Sequence, residues 1–228
     1  LIINSYSGNT METIGCYRSA LKDKTRMLIM SSGGTLLASA QRQKIPYIHL
    51  PEGYLPRQTL MMQFSALLHV LVNAEIVPNQ QTAIGEFKRY LEEYPFARRS
   101  NAIAKNIEKS FPLIYATPMM AGVANRWKTQ INENAKSLCF VNTFTELNHN
   151  EIEGYDKPVK NVSLFLLKRE RESKLMERNI EVFTQLVRSQ VDVLKTYTIP
   201  GRSVLCALLI AVHLGDWVSY QLAELNKV

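Results

Sequence analysis

The sequence predicts an α/β protein with parallel sheets and flanking helices. Short apolar runs of strand length alternate along the 228 residues with longer segments in which apolar residues recur at helical spacing, and this alternation is typical of βαβ units. Apolar residues make up 46% of the chain and charged residues 21%, which is the balance of a soluble globular protein. The length suffices for one large domain or for two domains of about 100 to 150 residues each.

The alternation predicts seven strands and seven helices. The predicted strands cover residues 1–5, 26–31, 45–50, 112–116, 137–142, 162–167 and 193–197. The predicted helices cover residues 10–21, 34–43, 56–77, 100–108, 121–135, 173–190 and 202–224. The most polar connection runs over 78–99, and a new βαβ series begins at Phe111. We therefore expect two domains, 1–100 and 101–228, the second ending in a C-terminal helix.

The connection from the first strand to the first helix carries the clearest chemical signal. It reads Ser-Tyr-Ser-Gly-Asn-Thr over residues 5–10. Hydroxyls and free backbone N–H groups converge at a helix start, where the helix dipole favours an anion. A glycine there permits a positive φ and a close approach to a ligand. The pattern favours a phosphate site formed by Ser5, Ser7, Gly8, Asn9 and Thr10, and the alternative is a turn with Thr10 as an ordinary N-cap.

The order of residues in this loop resembles the phosphate loop of sugar isomerase (SIS) domains, which bind phosphosugars. Further segments resemble, in the same order, the bifunctional phosphoglucose/phosphomannose isomerases, a two-SIS-domain branch of the phosphoglucose isomerase superfamily. These segments are Ser-Ser-Gly-Gly-Thr-Leu at 31–36, Leu-Pro-Glu-Gly-Tyr-Leu-Pro-Arg at 50–57, Asn-Glu-Asn-Ala-Lys at 132–136, Glu-Leu-Asn-His-Asn-Glu-Ile-Glu-Gly at 146–154 and Leu-Gly-Asp-Trp-Val-Ser at 214–219. The resemblance therefore extends over essentially the whole chain.

The resemblance implies two SIS-type, doubly wound parallel-sheet (flavodoxin-like) domains, with ligands at the carboxyl ends of the strands. It implies an aldose–ketose isomerase that interconverts glucose 6-phosphate and fructose 6-phosphate, and also mannose 6-phosphate, through a cis-enediol without metal or cofactor. Family members carry an upstream Gly-Gly-Ser loop and a later segment with a threonine and a lysine, and neither has a counterpart here. The first domain is accordingly expected to lack its leading strand and helix.

Such an isomerisation needs a base, a group that opens the sugar ring and a positive group for the enediolate. The resemblance aligns Glu133 with the catalytic glutamate of the family, and Glu151 is the second choice for the base. Arg57, which is always charged and has a fork of donors, suits the enediolate. On composition alone, Glu133 and Arg57 would each be assigned to an ordinary protein surface.

His149, between Asn148 and Asn150, is the candidate for ring opening, because the pKa of an imidazole is about 6.5. In related isomerases this histidine reaches into the site of the neighbouring subunit, which implies a homodimer with shared active sites. The remaining histidines, His49, His69 and His213, are interpreted as structural. No two histidines have metal-ligand spacing, so no metal site is expected.

Other features bear on partners and location. The net charge is +7, but the basic residues are dispersed and interleaved with acids, so nucleic-acid binding is not expected. No uninterrupted apolar run reaches the ~18 residues of a membrane span. The dispersed cysteines Cys16, Cys139 and Cys206 fit reduced thiols and a cytoplasmic location. The rival to an isomerase is a non-catalytic phosphosugar-binding SIS protein or sensor.

Overall fold

The computed structural model describes all residues, Leu1–Val228, and the chain forms two compact units, Leu1–Gln80 and Gln81–Val228. The division therefore lies about 20 residues before the boundary that the sequence predicts near residue 100. The reason is that much of the segment 78–99, predicted as a polar connection, is helical and packs within the second unit.

The first unit contains a parallel sheet of three strands in the order β1-β2-β3. Its elements are β1 (Ile2–Asn4), α1 (Met11–Lys22), β2 (Leu28–Ser31), α2 (Gly34–Gln43), β3 (Tyr47–His49), a 3-10 turn (Pro56–Gln58) and α3 (Leu60–Asn73). Successive residues of β2 point to opposite faces of the sheet. Ile29 packs with α1 and α2, whereas Met30 packs in a cluster that includes Met62 and Leu67 of α3. The sheet is thus covered on both faces, as a doubly wound fold requires.

The second unit contains a parallel sheet of four strands in the order β5-β4-β6-β7. Its elements are α4 (Gln81–Glu93), α5 (Phe96–Ile107), β4 (Phe111–Ala116), α6 (Ala121–Ala135), β5 (Phe140–Thr143), β6 (Val159–Arg169), α7 (Lys174–Val187), β7 (Val191–Ile199) and α8 (Val204–Asn226), with 3-10 segments Pro118–Met120 and Glu151–Asp156. Ile114 and Phe165 pack against α5, α6 and α8. Tyr115 and Leu166 pack against α7 on the other face.

All seven predicted strands and all seven predicted helices are present. The helix predicted over 56–77 is interrupted, because a 3-10 turn precedes α3. The element that the sequence analysis missed is α4. Most of its residues are polar or charged, and its buried side is short and includes Ala83 and Glu86, so the sequence reads as a polar connection.

Glu86 explains why α4 belongs to the second unit. Its buried carboxylate accepts hydrogen bonds from the main-chain N–H of Arg202 (2.7 Å) and of Ser203 (3.4 Å), and from the Ser203 hydroxyl (3.3 Å). Burial raises the pKa of the Glu86 carboxyl, but these hydrogen bonds more than offset that effect and hold the pKa below its ordinary value. An ionised carboxylate at the start of α8 is favoured by the helix dipole.

By length and composition alone, α8 is the one helix that could cross a membrane. The apolar composition of α8 is also explained by its packing, because its buried residues form the centre of the second unit. Those that are almost completely buried include Cys206, Ile210, Leu214, Val218 and Leu222, and they pack in one cluster with α5 and α6.

Candidate functional site

In the first unit, the loop 5–10 lies directly against the loop that joins β2 to α2. The N–H of Ser32 and its hydroxyl both donate to the carbonyl of Tyr6, at 2.9 and 2.7 Å. The N–H of Leu36 donates to the carbonyl of Gly8 at 3.0 Å. The Oδ1 of Asn9 accepts from the N–H and the hydroxyl of Thr35, at 3.0 and 3.1 Å. The loop therefore satisfies two N–H groups in the first turn of α2.

The start of α1 is arranged differently. Thr10 is its N-cap residue, but the Thr10 side chain accepts no hydrogen bond from the first turn. Its Oγ1 instead lies 2.9 Å from the Oγ of Ser5. The first turn of α1 is therefore left without a side-chain cap, and N–H groups at an uncapped helix start are suited to an anion. Thr10 therefore does not act as an ordinary side-chain N-cap, which was the alternative interpretation of this loop.

Two glycines allow the loops to approach so closely. Gly8 has φ +67°, and a Cβ there would overlap the carbonyl oxygen of Gly33 and lie 2.7 Å from the Oγ of Ser31. Gly34 has φ +68°, and a Cβ there would overlap the carbonyl oxygen of Ser7. The close approach that the sequence assigned to Gly8 is thus an approach to the neighbouring loop, and Asn9 likewise acts by holding that loop.

Arg57, the predicted enediolate group, lies half-buried in the 3-10 turn that follows β3. Tyr6 ties this segment to the loop 5–10, since its hydroxyl donates to the carbonyl of Pro51 (2.9 Å) and accepts from the N–H of Tyr54 (3.1 Å). The structure therefore brings the predicted phosphate residues and the Arg57 segment to the same carboxyl edge of the first sheet. Sequence reasoning missed the role of Tyr6, because nothing local indicates which carbonyl its hydroxyl would reach.

In the second unit, Glu133 is exposed in the last turn of α6, and this helix ends at Ala135 as predicted. The ammonium group of Lys136 donates to the carbonyl of Glu133 at 2.8 Å. His149 is exposed in the turns that follow β5, and its main-chain N–H donates to the carbonyl of Glu146 at 3.0 Å.

Glu133 and His149 lie at opposite ends of the strands of the second sheet, Glu133 at the amino end and His149 at the carboxyl end. Helix α6 starts beyond the carboxyl end of β4 and runs back to the amino end of β5, which is parallel to β4. Glu133 is 12 residues after Ala121, or about 18 Å along the helix axis at 1.5 Å per residue. His149 follows the carboxyl end of β5. The second unit by itself therefore does not bring the two predicted catalytic residues together.

Glu151, the second choice for the base, is held in a network of side chains. Its carboxylate accepts from Asn142 and is hydrogen-bonded to the hydroxyl of Tyr115. The hydroxyls of Tyr115 and Tyr155 lie 2.7 Å apart, and burial raises the pKa of both tyrosines. This network fixes the 3-10 segment Glu151–Asp156, so Glu151 has a structural use that the sequence did not reveal.

The remaining histidines have structural partners. His49 Nε2 lies 3.1 Å from the carbonyl oxygen of Ser32, and His69 Nε2 lies 2.9 Å from the side-chain nitrogen of Asn73. The indole N–H of Trp217 donates to His213 at 3.1 Å, and burial lowers the pKa of that imidazole. No group of three or more His, Cys, Asp or Glu residues is placed to hold a metal ion.

The fold and the loop pair define a doubly wound α/β protein with a hydroxyl-rich loop at a helix start. The fold is shared over 100% of this chain with the crystal structure of a hypothetical protein from Thermus thermophilus, at a TM-score of 0.77 and 16% identity, and the match covers 66% of that chain. At that identity the likeness concerns the fold alone.

The chain belongs to the bacterial phosphoglucose isomerase family, because the profile described as "Bacterial phospho-glucose isomerase C-terminal SIS domain" matches residues 96–228. It is 31% identical to the bifunctional phosphoglucose/phosphomannose isomerase of Aquifex aeolicus over 97% of this chain and 68% of that protein. It is 33% identical to the enzyme of the same name from Thermoplasma volcanium, over 98% and 71%. The chain thus spans about two thirds of the length of these relatives. The assignment of the first unit as an SIS domain stays a prediction.

The glycine contact between the two loops can be tested with Gly8→Ala. We expect this change to lower the free energy of unfolding and to abolish thermal protection by inorganic phosphate, because the loops must separate to admit the methyl group. Gly53→Ala is the matched control, since Gly53 also has a positive φ (+92°) but open space around its Cβ position. The control should lose only the conformational cost of about 1–2 kcal/mol and keep the protection. Equal losses in the two variants, measured by urea and thermal unfolding, would contradict the steric argument.

Proposed function

We propose that this chain is an aldose–ketose isomerase that interconverts glucose 6-phosphate and fructose 6-phosphate and also accepts mannose 6-phosphate. The observation that carries the proposal is the similarity, over nearly the whole chain, to relatives named bifunctional phosphoglucose/phosphomannose isomerase. Both activities follow from one chemistry. Glucose 6-phosphate and mannose 6-phosphate differ only at C2, and that difference disappears in the planar enediol.

The phosphate of the sugar binds at the loop 5–10. The hydroxyls of Ser5, Ser7 and Thr10 and the N–H groups at the start of α1 are its donors. Gly8 and Asn9 support these donors by fixing the loop against its neighbour. This assignment is supported by the lack of a side-chain cap on α1 and by the favourable interaction of an anion with a helix N-terminus.

The proton transfer is assigned to Glu133, and the stabilisation of the enediolate is assigned to Arg57. After the ring opens, the Glu133 carboxylate removes the proton from C2 of the aldose, and the electron pair moves to form the cis-enediolate. The guanidinium of Arg57 stabilises this negative charge. Glu133 returns the proton to C1 while the hydroxyl proton passes from O2 to O1, which leaves the carbonyl at C2 and gives the ketose. His149 exchanges the proton at the ring oxygen when the ring opens and closes. No step requires a metal or a cofactor.

The rival function is a phosphosugar-binding protein or sensor without turnover. It would keep the loop 5–10 but would have no use for a base at Glu133. A coupled assay with fructose 6-phosphate separates the two functions, because a sensor would bind this sugar and release it unchanged. A cytoplasmic location, which cell fractionation would test, fits an enzyme whose substrates are charged metabolites.

Glu133→Gln is the decisive substitution for the chemistry. It preserves size and polarity but removes the proton acceptor, so we expect turnover to fall by at least ~10²-fold, in line with general-base catalysis, with little change in KM. Deuterium from the solvent should enter C1 or C2 of the sugar with the wild-type protein and should not enter with the variant. Glu151→Gln serves as the comparison. Near-normal rates in Glu133→Gln together with a large loss in Glu151→Gln would reassign the base.

We further propose that the protein works as a homodimer whose active sites are shared. The position of Glu133 and His149 at opposite ends of the strands of the second sheet supports this arrangement. Glu133 lies about 18 Å along α6 from the start of that helix, which is at the end of the sheet where His149 follows β5, and this axial distance exceeds the length of a hexose phosphate. His149 of one copy would therefore act on the sugar that Glu133 of the other copy deprotonates.

Mixing two inactive variants tests the shared sites. Protein with His149→Ala and protein with Glu133→Gln should each be inactive, and exchange of subunits should restore part of the activity, since a hybrid dimer contains one intact site. Subunit exchange is verified by native mass spectrometry of differently tagged chains. Lack of recovery in verified hybrids would assign both residues to a site within one copy.

A further inference from the structure

The segment 214–219, Leu-Gly-Asp-Trp-Val-Ser, has no part in the chemistry proposed above. It lies in α8, beside α6, the helix that carries Glu133. The two helices run parallel, because contacts with Ala211, Ser219 and Asn226 of α8 are made by successively later residues of α6. The segment therefore faces α6 along its length.

The first half of the segment, together with Ala211 one turn earlier in α8, fixes the middle of α6. Trp127 is completely buried, and its indole N–H donates to the carbonyl of Ala211 at 2.8 Å. Its ring lies so close to Gly215 that a Cβ at this position would overlap it. Asp216 accepts two hydrogen bonds from the guanidinium of Arg126, at 3.0 and 3.1 Å, and one from the side chain of Gln130 at 3.0 Å. A fork of two hydrogen bonds defines direction as well as distance.

The last residue of the segment fixes the turn that bears Glu133. The Oγ of Ser219 donates to the carbonyl of Asp216 at 2.7 Å and accepts from the side-chain nitrogen of Asn134 at 3.0 Å. Ser219 is completely buried. One residue further along α6, the carbonyl of Ala135 accepts from Asn226 at 2.8 Å. Two hydrogen bonds between α6 and α8 thus hold the two residues that directly follow Glu133.

Such contacts matter at this point of the helix because terminal turns open more easily than helix centres. A catalytic group needs to be held to within about 0.5 Å of its productive position. Glu133 itself is exposed, so its side chain cannot be fixed by burial, and its backbone has to be fixed through its neighbours.

We propose that Ser219 is a positioning residue for Glu133. Ser219 acts through its hydrogen bond with Asn134, and the segment 214–219 as a whole holds α6, the helix that carries Glu133, in place. This inference rests on the proposed function, because it assumes that Glu133 is the base. Ser219 would influence kcat because it fixes the geometry of the last turn of α6, and it would not influence substrate binding.

Ser219→Ala tests the inference, and Ser163→Ala is the matched control. Ser163 is also a completely buried serine that donates to a main-chain carbonyl, that of Asn106, and pairs with another side chain, that of Ser110. It lies in β6, however, and touches neither α6 nor α8 in these hydrogen bonds. Both variants should lower the melting temperature to a similar extent.

Only Ser219→Ala should lower kcat for fructose 6-phosphate, by about 10-fold, because a small misplacement of a catalytic group is costly, while KM stays within about twofold if binding is untouched. It should also accelerate amide hydrogen exchange at Glu133, Asn134 and Ala135, which Ser163→Ala should leave unchanged. Asn134→Ala, which removes the other partner of the hydrogen bond, should reproduce the loss of kcat if Ser219→Ala does not fold.

Three results would overturn the inference: an unchanged kcat in Ser219→Ala, an equal loss of kcat in Ser163→Ala, or a rise in KM without a change in kcat. A wild-type protein that does not isomerise fructose 6-phosphate would instead refute the proposed function, and the inference with it. The exchange measurement distinguishes this case, because faster exchange at the end of α6 would still demonstrate the contact.

Discussion

The rest of the candidate site in the first unit depends on the direct packing of the loop 5–10 against the loop that joins β2 to α2, with a glycine on each side. Gly8 lies against the carbonyl of Gly33, and Gly34 lies against the carbonyl of Ser7. Both glycines have a positive φ, which other residues adopt only at a cost. Because the loops are in contact, Asn9 can reach Thr35, and the start of α2 is used to hold the loop 5–10. The start of α1 has no side-chain cap, and this is where we propose that the phosphate binds.

The second sheet has the same connection between a strand and a helix but not the same chemistry. The connection from β4 to α6 begins with Thr117, whose buried hydroxyl donates to the carboxylate of Glu172 at 2.9 Å, and continues through Pro118, Met119 and Met120. A proline has no N–H to donate, and neither methionine carries a hydroxyl. This connection therefore differs in chemistry from the loop 5–10, and the candidate residues of the second unit lie elsewhere, at the end of α6 and after β5. The helix that carries Glu133 is hydrogen-bonded to α8 at several points along its length.

Local signals were sufficient for much of the fold. The bounds of α2 and α6 agree with the prediction to the residue, since apolar periodicity and the flanking turns define both helices. Helix α4 was missed because the contact that holds it depends on a residue far along the chain. A glutamate that caps α8 from 116 residues away looks, in the sequence, like one more charge in a polar connection.

The same distinction applies to the site. The hydroxyl-rich loop could be recognised from six consecutive residues, because its chemistry is local. The roles of Tyr6 and Ser219 could not, since each depends on a partner more than 40 residues away. The placement of Glu133 and His149 at opposite ends of the strands also had to come from the topology of the sheet, because the sequence gives their order along the chain but not the direction in which α6 returns.

The central claim is that the loop 5–10 binds the phosphate of a sugar phosphate. The most direct measurement is a titration of the ¹⁵N-labelled protein with glucose 6-phosphate, followed by backbone amide chemical shifts, with glucose as the control ligand. We predict large shifts at the amides of Met11 and Glu12 with glucose 6-phosphate and none with glucose, because the N–H groups at the start of α1 would donate to the phosphate. Shifts that avoid these amides, or that glucose produces equally well, would contradict the account.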